Sequence, residues 1–232
     1  MTDSWEPPAR GALDDTPWPT QLVAKAVARD AADHRIHGYE VLGDVARHYA
    51  FSDLVYLALA GELPSEDQSR TFALALFACA PTTVAEAPTH VAHLGRIAGG
   101  RIDAATGAGF VSAANRAHEI VASHGELLVW LAAPNTPLPA HATNVADAAW
   151  IETLLGALAG TRSSVQGGMS REAARIALLF DAGLRDPERL CAAISFASSV
   201  GMLAEALVVG PAELRAYPVN LPPFHYVQED RP

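Results

Sequence analysis

Nine histidines and 26 acidic residues hold most of the chemistry open to this 232-residue chain. His90 and His93, three residues apart, can meet on one helix face as metal ligands do, but no third ligand follows at a diagnostic spacing, so no metal is expected. Ser163 and Ser164 lack the Gly-x-Ser-x-Gly turn that exposes a nucleophilic serine, which sets a serine hydrolase aside. Gly107-Ala108-Gly109 imitates part of a nucleotide fingerprint, yet it falls inside a helical pattern instead of after a strand, and the phosphate-cradling turn is therefore missing. Gln166-Gly167-Gly168 is a polar, glycine-containing loop able to approach a ligand. Arg101, Arg116, Arg162, Arg171 and Arg175 can meet carboxylates or phosphates, with surface salt bridges as the ordinary alternative. What remains is acid-base chemistry by histidine and carboxylate.

The elements that would position such groups are helical almost throughout. Between 35 and 67 the chain reads as a turn, a short helix, a second apolar helix and a stop. Gly38 permits a positive φ before Tyr39. Val41, Leu42, Val45 and Tyr49 then recur at three- and four-residue spacing and define one apolar face. Ser52 is the expected N-cap of the next helix, with Asp53 in its first turn, and Gly61 and Pro64 end it. Ser65 opens a helix stopped by Pro81, and Pro88 opens another that ends at Gly99-Gly100. Asp103 caps a helix rich in Ala and Gly, and so many small residues imply close approach by another helix. An apolar helix follows over 119–132, then a proline-rich linker, then helices over 143–159 and 171–181, with Ser170 as cap and Gly183 as stop. Pro187 opens a long apolar helix to Val209. Residues 21–34 have a helical composition.

Inside the stretch 35–67 the residues HGYE at 37–40, FSD at 51–53, VYLAL at 55–59 and GELPS at 61–65 stand at fixed spacing. That run resembles the citrate synthase family, including its shorter citryl-CoA lyase relatives, with His37 where the family has Arg. The resemblance implies an all-α, citrate synthase-like large domain with a truncated small lobe, working as a homodimer. It also implies enolate chemistry beside a thioester: a carboxylate removes an α-proton, one histidine donates to the forming enolate oxygen, and a second polarises the other carbonyl.

Transferred to this chain, the first histidine falls at His118 in Ala117-His118-Glu119, although a gap-free alignment puts Ala117 at that place. The carboxylate falls at Glu172, ahead of ARIALLFDAGL at 174–184, with Ser170-Arg171 before it where the family has Asn-Val. A first-turn Glu that stabilises the helix dipole is the plainer alternative. The second histidine has no counterpart; His124 and His141 lie in the interval without the right neighbours. His37, in the place of the family's Arg, together with Arg116, Gln166 and Arg171 are the substrate-binding candidates. Only 53 residues separate His118 from Glu172, fewer than the family uses for its coenzyme A lobe, so no cofactor is required and a coenzyme A thioester is left open as substrate.

The implied organisation is an arm over 1–20, the first part of the core over 21–118, a reduced small lobe over 119–169, the second part of the core over 170–210, and an extended tail over 211–232. A net charge of −10 with 16 basic residues argues against a nucleic-acid partner. The sequence shows no signal core and no obvious membrane-spanning run, so a cytoplasmic protein with a small carboxylate substrate is expected, with Cys79 and Cys191 as free thiols. Three functions follow: a divergent enzyme forming or cleaving a C–C bond, a non-catalytic helical dimer that keeps the scaffold, and a conventional citrate synthase or citryl-CoA lyase.

Overall fold

A computed structural model describes residues 24–28, 34–134, 136–208 and 210. The arm expected over 1–20 and the tail expected over 211–232 lie outside them. The chain divides into two compact units, Met1–His48 and Tyr49–Pro232.

The first unit holds a small antiparallel sheet of β1 (Ala26–Ala28), β2 (His34–Ile36) and β3 (Tyr39–Glu40), in that order. Residues 26–28 are thus extended and not helical. Ala26, Val27 and Ala28 pair with Ile36, Arg35 and His34, and this pairing overrides a helical composition. His37 and Gly38 join β2 to β3 with φ of 50° and 90°. Positive φ at both central residues of a two-residue loop suits the twist of a hairpin. Histidine is among the few non-glycine residues that tolerate the left-handed region, which gives His37 a structural reason to be there.

The helix expected from Val41 begins as a π turn over Val41–Val45 and becomes α1 (Ala46–His48). Its i→i+5 bonding rotates side chains away from the three-and-four spacing, so Val45 is buried while Leu42 is exposed.

The second unit is helical among its described residues. It comprises α2 (Phe51–Ala60), α3 (Glu66–Cys79), α4 (Ala87–Ile97), α5 (Ile102–Ser123), α6 (Gly125–Ala132), α7 (Ala148–Ala157), α8 (Arg171–Asp181) and α9 (Pro187–Val208). Local signals explain most of the ends. Ser65 Oγ accepts the Gln68 N–H while Gln68 reaches back to the Ser65 N–H, a closed capping box. Ser170 caps α8 in the same sense, its Oγ accepting from Ala173 N at 3.1 Å. Helix α2 starts earlier than its hydroxyl suggested: Ala50 is the N-cap, and Asp53 supports it by accepting the Ala50 N–H at 2.9 Å. Asp53 also accepts the Ser69 hydroxyl and so ties α2 to α3.

One apolar core joins α2, α3, α5, α6, α7, α8 and α9 around Tyr56, Phe72, Leu127, Ile151, Leu178 and Leu190. Helix α8 is its centre, with Ile176, Ala177, Leu178 and Leu179 fully buried. Helices α4, α5 and α9 pack together beside it. The small residues of α5 serve that contact at Gly109, where a Cβ would sit 2.9 Å from the Pro88 carbonyl oxygen and collide with the Met202 sulfur. Gly107 faces open space instead.

Helix α9 is long and apolar enough to cross a membrane by length and composition, contrary to the expectation that no such run exists. In this fold Leu190, Ala193, Ile194, Ala197, Met202 and Ala206 bury one side of it.

Candidate active site

The cleft at the start of α8 is built by a clamp. Asn144 N donates to Gly168 O at 3.1 Å and Ser170 N to Ala142 O at 2.8 Å, so the segment after the proline-rich linker runs against the last residues before α8. Asn144 Nδ2 then orients Asp147, donating to its Oδ2 at 2.9 Å. Asp147 accepts the Arg171 N–H at 3.1 Å and pairs with Arg171 Nε at 2.7 Å. A carboxylate at this place satisfies an unpaired first-turn N–H and sits at the positive end of the helix dipole.

Arg171 and Arg175, four residues apart, lie on one face of α8. Their guanidinium carbons are 5.9 and 5.8 Å from the ring centre of Trp150 on α7, within cation–π range. Arg175 is fixed further by donating Nε–H to the Ala78 carbonyl at 2.8 Å. The open cleft they border measures about 490 Å³, and Pro81, Thr83, Glu86, Asn144 and Ser170 complete much of its wall. Beneath it a narrow recess of about 40 Å³ runs toward Cys79, Ala117 and Ser198. Glu86, Glu172 and Arg175 line both spaces.

Glu172 is held by Arg116 of α5, Nη2 to Oε1 at 2.6 Å, and Arg116 also reaches Glu119 at 3.7 Å. Both partners of the shorter pair are part-exposed, so its worth to stability is about 1 kcal/mol or less. Burial pushes the Cys79 thiol up to about 11, opposed by the nearby positive charge of Arg175. The thiol is therefore a neutral part of the recess floor near neutral pH.

Of the residues singled out in sequence, the structure brings Arg116, Arg171 and Glu172 together. It places His118 elsewhere. Ala117, fully buried, lines the recess below Glu172, whereas His118 lines a separate groove of about 560 Å³ with Ala114, Val121, Leu128 and Cys191. Gln166 is exposed in the loop before α8, where its carbonyl accepts the Met169 N–H at 3.4 Å, and it lines neither the cleft nor the recess. His37 belongs to the first compact unit, as the hairpin residue described above.

Ser163 and Ser164 tie their loop to α8, their hydroxyls donating to Asp181 at 3.0 and 2.7 Å. His124 is buried with its ring centre 5.7 Å from that of His141, and neither lines the cleft. Sequence reasoning gave no particular weight to Arg175, Asp147, Trp150 and Glu86. The i,i+4 arginines in an otherwise apolar helix were the available signal for Arg175; Asp147 and Trp150 are placed by the clamp and the helix after it, and Glu86 by the turn at the head of α4.

No protein-family model matches the chain, and no curated protein matches it in sequence. Among solved structures, the fold is similar to that of a citryl-CoA lyase from Hydrogenobacter thermophilus, with a TM-score of 0.60 and 16% identity over 89% of this chain and 97% of that one. The likeness extends over nearly the whole of both chains and shows a citrate synthase-like, all-α fold.

Proposed function

We propose that this chain is a divergent citrate synthase-family enzyme that forms or cleaves a C–C bond next to a carbonyl in a small carboxylate-bearing substrate. The observation that carries the reading is Glu172 at the head of α8, at the junction of cleft and recess, with Arg116 and Arg175 around it. Arg116 takes Glu172 Oε1, so Oε2 is the oxygen free to accept an α-proton. The enolate that results carries its charge on oxygen, and guanidinium N–H groups stabilise that charge as an oxyanion donor would. Residues 119–169 supply Asn144, Asp147 and Trp150 to the wall, which is the part we assign to a reduced small lobe. A coenzyme A thioester is one candidate substrate, and the structural likeness to a citryl-CoA lyase supports testing it first.

The test is citryl-CoA cleavage, acetyl-CoA condensation with oxaloacetate, and solvent-deuterium exchange at the α-carbon of small keto acids followed by proton NMR. Exchange that falls at least about 100-fold in Glu172→Gln supports the proposal. No turnover and no exchange with any of them would refute it.

A second reading has its own support. Ala117 stands below Glu172 where the resemblance placed a histidine, and the linings of cleft and recess contain no histidine among the described residues. These features suit a non-catalytic helical dimer. Val200, Leu203 and Leu207, at helical spacing on α9, and Phe110 and Val111 on α5 are exposed apolar side chains that a second copy could cover. Light scattering at micromolar protein then gives twice the 24.4 kDa chain mass; a monomer mass would sink the dimer in either reading.

A further inference from the structure

The three arginines near Glu172 are not equivalent. Arg171 pairs with Asp147 at 2.7 Å, and Arg116 pairs with Glu172 at 2.6 Å. Arg175 makes no ion pair among the described residues. Among those residues its one hydrogen bond runs from Nε to a backbone carbonyl, and its guanidinium otherwise lies against the Trp150 ring and near the Cys79 thiol. The two Nη groups, with four N–H donors, are therefore uncommitted, and Arg175 is the one side chain of the three that lines both spaces without a carboxylate partner.

The acids of the same walls set the other half of the argument. Glu86 faces cleft and recess with its Oε1 taken by the Thr83 N–H, and Asp147 and Glu172 add two more carboxylates. Three cations against three anions leave the lining without a net positive charge. One carboxylate can dock on Arg175 through a two-point guanidinium contact. Asp147 and Glu172 are answered by Arg171 and Arg116, but Glu86 has no ion-pair partner among the described residues, so a second or third carboxylate on the same small molecule would meet an unpaired like charge in the cleft and be repelled.

We infer that Arg175 is the substrate-carboxylate receptor and that the cleft selects small monocarboxylates over di- and tricarboxylates. The inference deepens the enzyme reading above and rests on it for the word substrate. Trp150 and Ala78 have a positioning role: they hold the guanidinium plane so that ordering it costs little on binding.

The experiment is calorimetry with pyruvate, oxaloacetate and citrate, acids with one, two and three carboxylates, on the full chain at low ionic strength. Pyruvate is expected to bind at least about 10-fold more tightly than citrate, with oxaloacetate between them. Arg175→Gln is expected to weaken pyruvate by about 10- to 100-fold, the range of a lost charge-assisted hydrogen bond. Arg175→Lys keeps the charge without the fork and is expected to fall between the two; it also stands in should Arg175→Gln not fold, as judged by circular dichroism.

Citrate binding as tightly as pyruvate overturns the inference, as does pyruvate binding untouched in both variants, or no binding of any acid up to 10 mM, a limit of about 2.7 kcal/mol of affinity. Calorimetry needs no turnover. Arg175-dependent binding without proton exchange refutes the enzyme reading alone, and proton exchange with Arg175-independent binding refutes this one alone.

Discussion

Two recesses flank α5, and consecutive residues of that helix line different ones: Arg116 and Ala117 the polar recess that meets Glu172, His118 the apolar groove beside α9. One residue is about 100° of helix rotation, so a shift of one place in an alignment moves a side chain from one recess to the other. The polar side offers Glu86, Glu172 and Arg175, groups that can hold charge and move protons. The other is walled mainly by Ala114, Val121, Ala122, Leu128 and Cys191, with His118 and Glu188 as its polar groups and no arginine in its lining to stabilise an enolate. The comparison teaches why the proposed chemistry is assigned to α8 and its clamp and not to the best-matching histidine.

The largest expected effect would break that comparison outright. Glu172→Gln should lower any carbon-acid activity by about 100- to 10,000-fold, while His118→Ala should leave it within about threefold. A collapse on His118→Ala would move the site to the groove.

Each recess also has a cysteine, and their titrations should differ. Cys79 is raised from 9.0 to about 11 by burial, and Cys191 is raised mainly by burial with only part of its side chain covered. For Cys79 the folded chain keeps its proton at pH values where the unfolded chain has lost it. Its contribution to stability is therefore fully present below about pH 9 and lost between about pH 9 and 11, up to about 3 kcal/mol. Urea melts from pH 8 to 11 on wild type and Cys79→Ala check this: the slope with pH should flatten in the variant. Thiol titration with an aromatic disulfide at pH 8 should label Cys191 first.

Packing gives a smaller contrast. Ala117→Leu must fit a space of about 40 Å³ and should cost about 1–3 kcal/mol, against about 0.5 kcal/mol or less for Ala122→Leu on the wide groove. Denaturant midpoints measure both. Small likewise, Arg116→Ala should change stability by about 1 kcal/mol or less, because its pair with Glu172 is part-exposed.

Much of the scaffold was legible in the residues. Ser65 with Gln68, Pro88, Ser170 and Gly183 mark helix ends through side-chain caps and a positive-φ stop, which are local signals. Residues 26–28 were not legible because strand pairing with 34–36 is a partner effect, and a run of Ala and Val does not announce its partner. The π turn at Val41–Val45 was hidden for a similar reason, since its bonding leaves no compositional mark.

The site was half legible. Glu172 and Arg171 were found because the α8 pattern fixes their register, and Arg116 because it stands two residues before His118 on α5. Asp147, Trp150 and Glu86 reach the cleft from segments 22 to 86 residues away from Glu172 along the chain, and only the folded chain brings them there. His37 stood out as a departure from a motif, and its left-handed backbone supplies the physical reason for attention to that position without placing it at the cleft.

The most direct test of the central claim is amide and indole chemical-shift mapping with pyruvate on labelled protein. The account predicts that the perturbed signals cluster at Glu86, Trp150, Arg171, Glu172 and Arg175, with Gly125, Leu128 and Cys191 unmoved. Shifts centred on the His118 groove, or none anywhere, would contradict it.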